Sequence, residues 1–126
     1  MKLSLGNIVT MLLAIVMIVF GANKLVPFLT MPTPANPSSA MMSFFGAMGG
    51  TYLGKFVGLT ELVGGLMLLS DRTRFAGLLV LAPIAVNIVV YHLAHDLAGG
   101  MIAYVCGALY AVAAWGYADR FKGLLG

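Results

Sequence analysis

Five side chains with chemical capacity stand out because their surroundings have almost none: Asn23, Lys24, Glu61, Asn87 and His92. Glu61 is the most informative. It lies in the middle of the apolar stretch from Tyr52 to Leu69, where a charge at the centre of a membrane-length helix costs about 2.5–3.5 kcal/mol. Such a group is kept when it faces a bundle interior and has a partner or a task. Lys24, at the end of the preceding apolar stretch, is the expected counter-ion. Lys55 is not, because six helical residues place it roughly 9 Å along the axis and about 120° around the helix from Glu61. It is expected to snorkel outward.

Asn87 shares a helix face with Pro83 and Tyr91, and His92 follows at the same end. With Asn23 at the end of the first stretch, these groups are expected to gather in one half of an apolar bundle, with nothing comparable in the other half. Phe28, Phe44, Phe45, Tyr52 and Tyr91 could wall the same region. A polar cluster inside an aromatic slot suits a small amphiphile such as a quinone, whose carbonyls need hydrogen bonds and whose tail needs an apolar channel. It also suits a proton path or a polar core that only fixes helix register. His92, His95 and Asp96 have the spacing of a weak metal motif, but the expectation is a helix end meeting interfacial water, with no metal ligand assigned. Two histidines three apart on one helix cannot hold a haem from both faces. Cys106 is the only cysteine, which excludes an internal disulfide or a C-x-x-C redox pair; it is read as a packing residue.

Four elements must position these groups. The chain has 126 residues, 61% hydrophobic and 9% charged, against about 25% charged in a soluble domain. Runs at about Leu3–Ala22, Thr51–Leu69, Arg74–His92 and Gly99–Ala118 are each expected to be long and apolar enough to span the hydrocarbon core of a bilayer, which needs ~20 helical residues. They predict an all-α fold: one integral-membrane domain over residues 1–126, built as an antiparallel four-helix bundle. The first run is read as a retained helix rather than a cleaved signal peptide, because no A-x-A-like site follows it.

The loop from Leu25 to Ala40 carries four of the five prolines. It is expected to cap the outer end, with Met41 to Phe45 re-entering as a short helix. Ser70 or Asp71 is the expected cap of the third helix. Gly46, Gly50, Gly54 and Gly58 recur every fourth residue and continue through Glu61 to Gly65, a small-residue stripe suited to close helix packing. Lys2, Arg72, Arg74, Arg120 and Lys122 fall on one side of the bundle, and Lys24 and Lys55 on the other. The positive-inside rule then puts both termini in the cytoplasm. The net charge of +3 follows this sorting and gives no reason to invoke nucleic acid.

The segments Phe20-Gly21-Ala22-Asn23-Lys24-Leu25, Gly58-Leu59-Thr60-Glu61-Leu62-Val63-Gly64-Gly65 running to Leu69 with Thr73-Arg74, and Leu81-Ala82-Pro83 through Asn87 to Tyr91-His92 resemble the DoxX or DoxX-like family, in order and across essentially the whole chain. The resemblance implies a bacterial four-helix inner-membrane protein. It also implies a link to redox biology, since a related family includes a small membrane subunit of thiosulfate:quinone oxidoreductase. The combined expectation is an accessory redox-linked subunit, not a stand-alone enzyme, with a quinone-like amphiphile at Asn23, Lys24, Glu61, Asn87 and His92. Two alternatives stay open: a scaffold for a partner protein or a second copy, and a carrier coupled to protonation of Glu61.

Overall fold

The computed structural model describes residues 4–31 and 33–126; Lys2, Leu3 and Pro32 lie outside them. Among the described residues there are six α-helices and no strand: α1 (Leu5–Leu25), α2 (Ser39–Gly50), α3 (Leu53–Met67), α4 (Arg74–His95), α5 (Met101–Trp115) and α6 (Ala118–Gly123).

Local chemistry sets the ends. Ser4 caps α1 by accepting from the Asn7 N–H at 3.1 Å, and α1 stops at Val26, held extended before Pro27, as the residue before a proline must be. Ser38 caps α2 by accepting from the Met41 N–H at 3.2 Å. The chain then breaks at Thr51 and Tyr52; the span expected at Thr51–Leu69 is the single helix α3, and the short helix expected at Met41 to Phe45 is the longer α2. Glycine stacking explains the corner: a side chain at Gly54 would run into the backbone of Met48. The cap of α4 is Thr73, without a side-chain hydrogen bond. Neither Ser70 nor Asp71 serves, because Asp71 is drawn to Arg74 and Thr73 instead donates from Oγ1 to the Met67 carbonyl at 2.7 Å.

Packing closes a ring of four helices. α1 lies against α3 and α5, α4 also lies against α3 and α5, and α2 rests on α3. The closest approach is α1 on α3: a Cβ at Gly21 would fall 2.6 Å from the Gly58 carbonyl oxygen, and one at Gly65 would fall 2.9 Å from Ile18. Gly77 and Gly64 do the same between α4 and α3, where a Cβ at Gly77 would fall 3.0 Å from the Gly64 carbonyl. The glycine stripe is therefore split. Gly58 and Gly65 serve a partner helix in the same chain, whereas Gly46 and Gly50 face open space.

The apolar core is Leu13, Ala14, Met17, Leu68, Leu78, Leu81, Cys106 and Ala113. Around it the usual polarity is reversed. Glu61 and Arg74 are buried, while Ile15, Val63, Val86 and Val105 are among many large apolar side chains on the outside. α1 and α4 are each long and apolar enough to cross a membrane, and only 28% and 22% of their most apolar stretches are buried. Most of each stretch lies on the outside of the bundle.

Candidate functional site

Glu61 sits on the face of α3 that meets α1, with its side chain 2% exposed. Lys24 Nζ lies 2.7 Å from Glu61 Oε1. At that distance the contact is a close charge pair between the ammonium and the carboxylate. Gly58 makes it possible: a Cβ there would fall 2.7 Å from Lys24 Cβ, so the lysine stem crosses α3 over the glycine and reaches the carboxylate three residues on. The Phe20 ring centre is 6.0 Å from the same ammonium, within cation–π range.

The pair stands on the wall of a cavity of about 730 Å³, the size of a small-molecule site. Met17 of α1 and Ile102, Ala103 and Cys106 of α5 form its apolar depth. Ile84, Asn87, Ile88, Tyr91 and His92 of α4 form another wall. Phe44, Phe45 and Met48 of α2, with Pro27, Met31 and Pro34 of the preceding loop, roof it. The proline-rich loop and the short helix thus cover the polar end of the bundle, as its sequence suggested.

The five expected residues all line this cavity, but not in one role. Lys24 and Glu61 pair. Asn87 presents an exposed carboxamide. His92 lies with Nδ1 3.2 Å from the Asp96 carbonyl; a carbonyl only accepts, so Nδ1 carries the proton and donates. Asn23 is committed elsewhere. Its Oδ1 accepts from the N–H groups of Phe28 at 2.8 Å and Leu29 at 2.7 Å, and its Nδ2 donates to the Leu29 carbonyl at 3.3 Å. It folds the loop over the end of α1 and so positions the roof. Lys55 is exposed at the rim, its Nζ 3.5 Å from the Leu25 carbonyl. Among the described residues no three His, Cys, Asp or Glu side chains converge as a metal set; His95 lies against the Tyr91 ring instead.

Two features escaped the sequence. Tyr91 stacks on Phe44 with ring centres 4.1 Å apart, and its buried hydroxyl has no hydrogen-bond partner among the described residues. The opposite end of the bundle also holds a polar cluster, contrary to expectation. Arg74, 2% exposed, donates from Nε to the Leu68 carbonyl at 2.9 Å, and from Nη1 to Asp71 Oδ1 at 2.7 Å and Asn7 Oδ1 at 3.2 Å. Its position at the start of an apolar run was the available signal, but it reads equally well as a loop charge. The core leucines separate this cluster from Glu61.

Fold and site together define a small all-helical protein with many large apolar side chains on its surface and a Lys24–Glu61 pair that opens on a roofed cavity. Comparison with protein-family models, curated proteins and solved structures returned no match.

Proposed function

We propose that this chain is a DoxX-like multi-pass protein of the bacterial inner membrane that holds a small quinone-like amphiphile in the cavity beside Glu61, as an accessory subunit of a redox system rather than an enzyme by itself. The observation that carries this reading is the Lys24–Glu61 pair, its carboxylate buried, on the wall of a cavity with an aromatic roof that Asn87, His92 and Asp96 also line. The pair offers hydrogen bonds and charge to a head group, and the α4–α5 wall offers an apolar lining to a tail.

The membrane reading draws on the reversed polarity of the surface. In this view α1, α3, α4 and α5 form a transmembrane four-helix bundle with both termini in the cytoplasm. α3 and α5 have 15 residues each, about 22 Å of helix. A bilayer accommodates shorter spans by local thinning and by snorkelling of flanking residues. Arg72, Arg120 and Lys122 then lie on the cytoplasmic side, and the cavity roof faces outward.

The carrier alternative is less well supported, because Leu13, Leu68, Leu78 and Leu81, all fully buried, interpose an apolar layer between Glu61 and the Arg74 cluster. The test is mass spectrometry of the organic extract from protein purified in mild detergent, beside a Glu61→Gln control. A quinone present in the native sample and missing from the control supports the reading. Bulk lipid alone, equal in both, removes it and leaves a scaffold for a partner protein or a second copy.

A further inference from the structure

We propose that the basic corner formed by α6 and the turn before α4 docks a phospholipid with a net negative head group, and that Arg120 is the residue that holds it. This rests on the membrane reading of the bundle and is independent of what the cavity contains.

α6 is pinned to the bundle by rings. The Phe75 ring centre of α4 lies 5.9 Å from that of Tyr117 and 5.0 Å from that of Phe121. Tyr117 and Phe121 are partly buried and pack against the apolar core. Those positions face inward, and Arg120 and Lys122 are left exposed. Arg120 Cζ stands 4.3 Å from the Phe75 ring centre and 5.9 Å from that of Tyr117. A cation–π contact holds the side chain through its charge and needs none of its five N–H donors. The guanidinium is thereby steadied while its fork stays available, and that fork matches the paired oxygens of a phosphate.

Charge and apolar surface at this corner fit the same partner. Arg72 in the turn before Phe75, with Arg120 and Lys122, is exposed, and none of the three forms an ion pair among the described residues. Of the acidic side chains at this end, Asp71 is taken by Arg74, which leaves Asp119 against three cations. Large apolar side chains flank them in the chain: Trp115 at the end of α5 is 81% exposed, and Leu124 and Leu125 after Lys122 are exposed as well. A tryptophan placed so suits the boundary between head groups and acyl chains. Basic residues at that boundary attract anionic lipid, whereas a choline head group would bring its own cation to the corner.

Trp115 is the only tryptophan in the chain and can report on this corner directly. The protein is reconstituted into mixed vesicles of dioleoylphosphatidylglycerol and dioleoylphosphatidylcholine, with one lipid or the other brominated in its acyl chains. Quenching of Trp115 fluorescence then gives the relative occupancy of the two lipids. The phosphatidylglycerol is expected to be preferred roughly fivefold. Arg120→Gln should bring the ratio close to parity, Arg120→Lys should fall between, and Lys55→Gln at the opposite end should leave it unchanged. An unaltered circular dichroism spectrum would show that each variant folds. Equal quenching by the two lipids in the unaltered protein, or a preference that Arg120→Gln leaves intact, overturns the inference while the membrane reading stands. Protein that does not float with the vesicles after reconstitution overturns both.

Discussion

Lys24 and Glu61 are paired at 2.7 Å but unequally buried: the lysine side chain keeps 31% of its surface exposed and the glutamate 2%. The asymmetry predicts unequal mutants. Lys24→Met leaves a carboxylate enclosed without a cation, and breaking such a pair costs on the order of 3 kcal/mol, the low end of the range because one partner is partly exposed. Glu61→Gln removes the buried charge and leaves a lysine that can turn outward, so its cost should be smaller. Thermal unfolding in detergent should therefore rank Lys24→Met well below Glu61→Gln. The double replacement Lys24→Met with Glu61→Met should recover much of the loss. An inverse ranking would mean that Glu61 is not the group that depends on the pair.

Helix approach is a second determinant of the same pair. A Cβ at Gly21 would meet the Gly58 carbonyl oxygen and the Leu62 nitrogen, each at 2.6 Å. Both are backbone atoms and cannot rotate away. Gly21→Ala must therefore push α1 from α3, with a cost of about 1–3 kcal/mol, and lengthen the reach from Lys24 to Glu61. Gly46→Ala meets nothing within 4 Å and should leave the melting temperature unchanged or slightly raised, since alanine favours helix. Comparing the two separates packing glycines from merely recurrent ones.

That comparison also marks where sequence reasoning reaches. A four-residue glycine period is visible in the chain, but the break at Thr51 and Tyr52, which turns Gly46 and Gly50 away from the interface, depends on the tertiary corner at Gly54. The Lys24–Glu61 pair was legible because a carboxylate in an apolar run has few cations within reach. Asn23 was grouped with them correctly in space but not in role, because its acceptors and donors are met by backbone groups of Phe28 and Leu29 that no side-chain pattern advertises. The Arg74 cluster was missed for a similar reason: beside the local Asp71 ion pair, it is tied to the Leu68 carbonyl and to Asn7, 67 residues away.

Asn23→Ala should act on the roof. It removes the acceptor of two backbone N–H groups and the donor to the Leu29 carbonyl. The expected result is faster proteolytic cleavage within residues 26–37 and reduced ligand retention, with a loss of global stability of about 1–3 kcal/mol or less, since the freed groups lie near the surface. Asn23→Asp keeps the acceptor and should restore most of the protection. Protection equal to the native protein in the alanine variant would detach the loop from this side chain.

Arg74 supplies the contrast that would tell a structural pole from the proposed ligand pole. Its guanidinium joins three elements: Asn7 at the start of α1, the Leu68 carbonyl at the end of α3, and Asp71 in the turn before α4. Arg74→Lys keeps the charge but loses the fixed fork that serves these acceptors together, and Arg74→Met leaves them without a donor. Both should lower the unfolding temperature, the methionine variant by the equivalent of about 3 kcal/mol. Yet the cavity lies beyond the leucine layer, so ligand retained per folded molecule should match the native protein in both variants. Glu61→Gln should show the opposite pattern, a modest stability change with ligand lost. If Arg74→Lys instead empties the cavity while the protein stays folded, the two poles communicate through the bundle, and the carrier reading regains ground over a static binding subunit.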